Sequence, residues 1–206
     1  MDENSIDLDL MTPEERVLFV RKLELKKRQL ELAQSSRENF LDYVKNIWPD
    51  FIGGEHHKII AGKLEALRDG TIKRLIVNMP PRHTKSEFAS YLFPSWMMGH
   101  NPKLKIIQTT HTAELAYRFG RKVRNLMNEQ EFKDVFPGVE LRADSLAAGR
   151  WETNHGGEYL LIIDDPHSEQ DAMSKTAMEN AWEWYTSGPR QRLQPGGAIV
   201  VVMTRW

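Results

Sequence analysis

The sequence contains no cysteine, which excludes disulfide bonds and thiolate metal sites. It has no apolar run of the roughly 18 residues that a membrane span requires, and its first residues are acidic where a secretory signal would be basic. A cytosolic protein without membrane contacts is therefore expected. The 28 Lys and Arg nearly balance the 29 Asp and Glu, which argues against a generally basic nucleic-acid binder but allows a local basic face.

A chain of 206 residues with 40% apolar residues is long enough for one sizeable domain with its own core. We predict a helical N-terminal arm over residues 1–50 and a main domain over 51–206. In the arm, an acidic leader covers residues 1–11, and Thr12 followed by Pro13 and Glu15 predicts a helix start. This helix is expected to end near Leu32, and its apolar residues are expected to pack against another surface, which the sequence does not identify.

A second capping pattern, at residues 35–38, predicts another helix that ends near Ile47. Beyond it, short apolar runs alternate with helical patterns. The predicted strands are 75–77, 105–109, 160–163 and 198–202, and the predicted helices are 57–67, 85–98, 113–127 and 171–185. Continuous apolar strands alternating with helices indicate an α/β fold, with a mostly parallel sheet covered by helices on both faces. Ligands bind beyond the carboxyl ends of the strands in such sheets.

The first strand leads into a candidate phosphate-binding loop. Residues 79–86 read Met-Pro-Pro-Arg-His-Thr-Lys-Ser, and a strand, a tight loop and Lys-Ser at a helix start are typical of such a loop. Lys85 would reach the β and γ phosphates of a nucleotide, and the Ser86 hydroxyl would bind Mg²⁺. Met79 and Thr84 stand where the usual pattern has glycine, so a helix that merely begins with Lys-Ser is the alternative.

The third and fourth strands also end in polar residues. Asp164 and Asp165 follow the apolar run 160–163; Asp164 suits a Mg²⁺ carboxylate beside the phosphate loop, and Asp165 is placed to polarise the attacking water. The alternative is an aspartate that caps the next helix. Thr204 ends the fourth strand, where it could sense the γ-phosphate or a catalytic water, or simply terminate the strand.

Together, the segments 78–87, 160–166 and 195–206 resemble the three ATPase motifs of the large subunit of tailed-bacteriophage terminases. The resemblance extends over residues 51–206. It implies a P-loop NTPase fold of the additional-strand (ASCE) type that uses ATP and Mg²⁺. It also implies a homo-oligomeric ring at the portal protein, which works with the terminase small subunit to drive double-stranded viral DNA into the procapsid in the host bacterial cytoplasm.

The resemblance also implies roles for individual residues. Arg82 would contact phosphates or act as an arginine finger in cis, and Thr204 would couple hydrolysis to movement. The adenine would lie near residues 55–57, although His56 and His57 are also explained by a helix start, and adjacent histidines make a poor metal pair. The nucleotide-binding residues implied by the motif are Pro81, Arg82, His83, Thr84, Lys85, Ser86 and Glu87.

The sequence departs from the family pattern at several points. Thr84 replaces a common glycine, so the loop must either avoid positive φ there or bind nucleotide less well. Asp165 stands where many of these ATPases use Glu. Similar proteins have a glycine-rich strand and turn before the acidic strand, often with an arginine that is a candidate trans-acting finger, and this sequence has no counterpart of it between Tyr159 and Leu160. The sequence ends at Trp206, after the third motif, so nuclease activity is not expected from this chain.

DNA-contacting residues are less clear from the sequence. Arg118, Arg121 and Lys122 share a helix face, and Arg190 and Arg192 lie in a later loop; these could bind backbone phosphates, or form a solvated face or a subunit contact. Two other functions remain open: another P-loop enzyme, such as a helicase-like ATPase or a small-molecule kinase, and a nucleotide-binding assembly module that hydrolyses little ATP.

Overall fold

A computed structural model describes residues 11–147, 150–153 and 159–204. The predicted leader, most of the segment before Tyr159, and Trp206 lie wholly or largely outside the described residues. In chain order, the elements are α1 Pro13–Glu38, α2 Phe40–Ile47, α3 Glu55–Arg68, β1 Arg74–Met79, a π-helix Glu87–Leu92, α4 Phe93–His100, β2 Lys105–Thr110, α5 Ala113–Asn128, α6 Gln130–Val135, β3 Leu141–Ala147, β4 Arg150–Thr153, β5 Tyr159–Asp164, α7 Glu169–Ala172, α8 Lys175–Ser187, a 3₁₀ turn Pro189–Arg192 and β6 Ala198–Thr204.

The first two helices meet at Asn39 rather than near residue 35. Thr12 caps α1 in a capping box with Glu15, as predicted, but α1 then continues through Ser35 to residue 38. The predicted start of the second helix at residues 35–38 is wrong, because the side chain of Asn39 accepts the backbone N–H of Asp42 at 2.9 Å and caps α2 instead. The Ser35 hydroxyl is used elsewhere, in a 2.6 Å bond to the Asp42 carboxylate.

Most of the large apolar residues of α1 are exposed within the described chain. Val17 is 70% exposed and Leu30 is 56% exposed, so the surface against which the arm was expected to pack is not formed by the described residues. The helix α2, in contrast, contributes Phe40, Tyr43 and Val44 to the main hydrophobic core. The division at residue 50 stays a prediction.

Four strands form a parallel sheet in the order β1-β6-β5-β2. The parallel α/β architecture predicted from the apolar runs is thus confirmed. The last strand in sequence, β6, lies between β1 and β5 and pairs with both. Its register places Met79 of β1 opposite Thr204, and Asp164 of β5 opposite Val202. The carboxyl ends of β1, β5 and β6 therefore meet at one edge of the sheet.

Both faces of the sheet carry apolar side chains. On one face, helices α2 to α6 build the large core, whose fully buried members include Phe88, Trp96 and Leu126. On the other face, Leu161, Ile163 and Ile199 form a smaller cluster with partly buried residues of α8 and of the segment after it. This second cover is thin, and Ile76 of β1 stays 66% exposed.

The helix predicted over residues 85–98 is not regular, because Pro94 interrupts its hydrogen bonds. Proline has no N–H to donate to the carbonyl four residues earlier, and its ring crowds that carbonyl. The carbonyl concerned belongs to Ser90, which accepts the Gln108 side-chain amide at 2.8 Å instead. The preceding turn widens into the π-helix Glu87–Leu92 before α4 begins. Ser90 lies in this turn and belongs to the candidate site described below.

Several elements were not predicted from the sequence. They are the short helix α6 and the antiparallel pair β3–β4, which forms a separate two-stranded sheet. The helix predicted over 171–185 is divided into α7 and α8, because Ser174 caps a new start by accepting the N–H of Ala177. No helix in the described ranges is long and apolar enough to cross a membrane.

Candidate functional site

The loop after β1 and the tips of β5 and β6 surround a cavity of about 390 Å³. This volume falls in the range that small-molecule sites occupy, roughly 300–1,000 Å³. The residues that line the cavity come from the loop after β1, from the turns after β2 and β5, and from the tip of β6: Pro81, Arg82, Lys85, His111, Asp165, His167, Ser168, Glu169 and Thr204. The cavity therefore lies beyond the carboxyl ends of parallel strands, as predicted.

Lys85, Asp165 and Thr204 form one hydrogen-bonded cluster in the wall of this cavity. The Lys85 Nζ lies 2.7 Å from Thr204 Oγ1 and 2.9 Å from Asp165 Oδ2. Thr204 in turn donates its hydroxyl to Asp165 Oδ2 at 3.0 Å and its backbone N–H to Asp165 Oδ1. The ammonium is therefore held in a fixed position, with its side chain only 7% exposed. Both oxygens of the Asp165 carboxylate are engaged.

Asp164 lies on the core side of the same strand tip and is only 1% exposed. Its Oδ1 accepts the Ser86 hydroxyl at 2.9 Å, and its Oδ2 accepts the Ser90 hydroxyl at 2.7 Å. Burial raises the pKa of Asp164, and the two hydroxyl donors oppose that rise by stabilising the carboxylate. Both oxygens of the buried Asp164 carboxylate are therefore satisfied by hydroxyl donors.

The backbone around the cavity adopts unusual conformations. Arg82 and Thr84 have φ of 63° and 60°, and Asp165 has φ of 42°. Such left-handed conformations cost non-glycine residues about 1–3 kcal/mol each. Of the two alternatives for Thr84, the loop therefore does not avoid positive φ.

Of the predicted nucleotide-binding residues, Pro81, Arg82 and Lys85 line the cavity. His83 is exposed and its Nδ1 lies 2.8 Å from the Pro81 carbonyl within the loop itself. Glu87 binds Lys122 of α5, with Nζ 2.7 Å and 2.9 Å from its two carboxylate oxygens.

Lys122 also lies over the Tyr91 ring, 4.4 Å from its centroid. Lys122 therefore makes contacts within the chain, and whether its helix face also binds DNA or another subunit stays a prediction.

Sequence reasoning missed several residues of this site. Ser90 could have been found, since it lies four residues after Ser86 and so on the same helix face. His111, His167 and Glu169 had no such signal, because they come from turns after β2 and β5 whose approach depends on the sheet order. His111 Nδ1 lies 3.2 Å from the Asp165 carbonyl oxygen.

Asp164 and Ser86 are the residues of this site that could hold part of a Mg²⁺ shell. Within the described ranges there is no group of three or more His, Asp and Glu that could enclose a metal by itself. Mg²⁺, however, is usually held by one or two carboxylates or hydroxyls, with phosphates and waters completing its shell. Asp164 and Ser86, whose oxygens are 2.9 Å apart, supply such a partial set.

The comparisons with known proteins do not identify a family. No family model matches the chain, and no curated protein matches it either.

Proposed function

We propose that the chain is the ATPase domain of a viral DNA-packaging motor of the terminase large-subunit type, which hydrolyses ATP to move double-stranded DNA. One observation carries the proposal. Lys85 and Ser86, at the start of a helix after β1, meet Asp164 and Asp165 at the tip of β5 and Thr204 at the tip of β6. These are the residue types and positions that phosphoryl transfer needs.

The sheet order supports a P-loop ATPase of the additional-strand class. In that class, one strand separates the strand of the phosphate loop from the strand that ends in the acidic pair. Here β6 separates β1 from β5, and it contributes Thr204 to the cavity between them.

The chain's own groups would bind the phosphates as follows. The loop's backbone N–H groups and the Lys85 ammonium would bind the β and γ phosphates, and Arg82 would add a second positive charge. Ser86 and Asp164 would hold Mg²⁺, which supplies neutralisation of the developing phosphate charge. The pKa of Asp164, raised by burial, would fall again when the cation is bound, because a cation stabilises the carboxylate.

Asp165 is the proposed general base. While it binds Lys85, its charge is neutralised. When Lys85 turns toward a phosphate, Asp165 Oδ2 becomes available to accept a proton from the attacking water. Thr204 would keep the carboxylate in place through its N–H and hydroxyl. Because these bonds connect Asp165 to the end of β6, a movement of Asp165 would also move that strand. Thr204 would couple hydrolysis to motion in this way.

The same proposal includes the partners of such a motor. It would act as a homo-oligomeric ring on the portal protein, together with the terminase small subunit, in the cytoplasm of the host bacterium. Its grip on DNA would be directed at backbone phosphates, because a packaging motor must move along every sequence.

A second candidate is a nucleotide-binding assembly module that hydrolyses little ATP. The engagement of both Asp165 oxygens by Lys85 and Thr204 favours it, since three of the roughly four lone-pair sites of the carboxylate are already occupied. The two candidates share the binding site and differ in turnover.

The test is Mg²⁺-dependent ATP turnover, measured with and without duplex DNA, for the wild type, Lys85→Ala and Asp165→Asn. The matched controls are Lys133→Ala and Asp134→Asn, which change exposed residues on α6. We expect both site variants to lose at least a hundredfold in turnover, both controls to match the wild type, and DNA to stimulate the wild type.

Each other outcome has a definite meaning. Wild-type binding of ATP with turnover no faster than Asp165→Asn would support the assembly module. Turnover that duplex DNA does not change would favour a metabolite-directed P-loop enzyme. Equal activity of Lys85→Ala and wild type would refute the nucleotide site itself.

A further inference from the structure

His57, in the first turn of α3, is bonded to the loop after β1 although 27 residues separate it from its partner there. Its Nδ1 lies 2.9 Å from the backbone nitrogen of Gly54, and its Nε2 lies 2.6 Å from Thr84 Oγ1. The Thr84 hydroxyl is also 2.7 Å from the His83 carbonyl. The three bonds form a chain from the helix start to the strained residue of the loop.

The direction of each bond follows from its ends. The N–H of Gly54 can only donate, so Nδ1 of His57 accepts and Nε2 carries the proton. The carbonyl of His83 can only accept, so the Thr84 hydroxyl donates to it and uses a lone pair for the histidine. Each donor in this series of three hydrogen bonds therefore has one acceptor when His57 is the neutral Nε2–H tautomer.

The imidazole is fixed in this position by its surroundings. His57 is 6% exposed. Its ring stacks on Phe88 at a centroid distance of 5.1 Å and meets the edge of Phe51 at 4.8 Å. Burial lowers the pKa of His57, and the neighbouring His56 and His83 lower it further, which supports the neutral form.

Thr84 is the residue that needs this support. A β-branched residue at φ of 60° is unfavourable, whereas glycine adopts that conformation freely. Thr84 also lies directly before Lys85, so a change in its backbone would redirect the lysine and the N–H groups of the loop.

We propose that His57 is a positioning residue that holds Thr84 in the left-handed conformation and thereby keeps the loop shaped for phosphate. The histidine supplies by hydrogen bonding what glycine would supply by conformational freedom. The proposal rests on the nucleotide site proposed above, because it assigns the loop its phosphate ligand. It makes a specific prediction: a glycine at position 84 should remove the need for His57.

The experiment is a double-mutant cycle on MgATP affinity, measured by calorimetry with a non-hydrolysable analogue. We expect His57→Ala to raise Kd about tenfold, since it removes one buried hydrogen bond to a strained residue. In the Thr84→Gly background, the same substitution should change Kd less than threefold. His57→Gln, whose amide can donate to the Thr84 hydroxyl, should recover part of the loss. Lys63→Ala, at an exposed position of the same helix, is the control and should leave Kd unchanged.

An equal effect of His57→Ala in both backgrounds would overturn the proposal, since it would mean that the histidine acts on the nucleotide or on the fold rather than through Thr84. If a variant fails to fold, a second measurement on the wild type still tests the proposal. The ¹⁵N shifts of the His57 ring in nucleotide-free protein should report a protonated Nε2 and an unprotonated Nδ1 at neutral pH; the opposite tautomer or an imidazolium would also overturn it.

The ring measurement separates the two proposals. The expected tautomer in a wild type that binds no ATP would leave the bond to Thr84 in place and refute the nucleotide site, and with it the assignment of the loop to phosphate. ATP binding that Lys85→Ala abolishes and His57→Ala leaves intact would keep the proposed function and refute the role of His57.

Discussion

Replacing Asp165 with asparagine is expected to tighten ATP binding while it slows hydrolysis. The reason is the ion pair with Lys85: the lysine must leave the carboxylate before it can bind a phosphate, so breaking the pair costs part of the binding free energy. Asparagine has no charge to hold the ammonium, and it also places no negative charge near the phosphates. The base for the attacking water is lost in the same change.

The size of the effect follows from the geometry of the pair. Lys85 Nζ is 2.9 Å from Asp165 Oδ2, and the two side chains are 7% and 23% exposed, which is more buried than the surface pairs that contribute only about 0–1 kcal/mol. A hydrogen bond to a charged group contributes about 1.5–3 kcal/mol. Because the asparagine oxygen can still accept the N–H of Thr204, we expect a gain of about 1–2 kcal/mol, or a Kd about 5–30-fold lower.

The assay combines calorimetric titration with MgATP and steady-state hydrolysis. Turnover should fall by about 10²–10⁴-fold, the range for loss of a general base. Asp134→Asn, the same chemical change on exposed α6, should alter neither quantity. Weaker ATP binding by Asp165→Asn would refute the competition between carboxylate and phosphate for Lys85, and undiminished turnover would refute the role of Asp165 as base.

Two further predictions concern stability. Asp164→Asn should raise the melting temperature at pH 7 by about 2–4 °C while Mg²⁺-dependent turnover is lost. Burial raises the pKa of Asp164, so its ionised form costs stability above its ordinary pKa, and in calorimetric scans the gain should shrink as the pH approaches about 4; a gain independent of pH would contradict this. Gly99→Ala should cost about 1–3 kcal/mol in urea unfolding, because its Cβ would overlap the Phe136 ring. Gly62→Ala, in the helix α3, places its new Cβ with no atom within 4 Å, so it should raise the free energy of unfolding by about 0.5–1 kcal/mol. Equal effects of the two alanine substitutions would contradict this reasoning.

The strands were predictable because each is a short apolar run between polar turns. The order of the strands could not be read from these apolar runs, since the pairing of β6 between β1 and β5 depends on contacts among residues more than 30 positions apart. The helix after the loop was predicted as regular. Pro94 was visible in the sequence, but the π-helix depends on a partner for the Ser90 carbonyl, and that partner, Gln108, comes from the next strand.

The residues of the candidate site also include some that the sequence predicted and some that only the structure shows. Lys85, Ser86, Asp164 and Asp165 were predicted because they follow strands in a recognisable order. Ser90 was missed, although its spacing from Ser86 places both on one face of the helix. His57 was interpreted mainly as part of a helix start, which is correct for its Nδ1 bond to Gly54, while its bond to Thr84 exists only through the fold. Sequence patterns identify residues whose roles depend on nearby positions in the chain. Residues such as His57, whose partner is distant in the sequence, are identified only from the fold.

The distribution of backbone strain gives an independent argument for where the function lies. In the part of the chain that the structure describes, the non-glycine residues at positive φ are Arg82, Thr84 and Asp165, and all three belong to the loop and strand tip around one cavity. At about 1–3 kcal/mol each, their strain is comparable with a large part of the 5–15 kcal/mol that stabilises a typical domain. Residues in such conformations cluster at active sites and ligand clamps. Their concentration beside Lys85, and the bonds that hold Thr84 and Asp165 in place, indicate that the shape of this cavity is what the strain preserves.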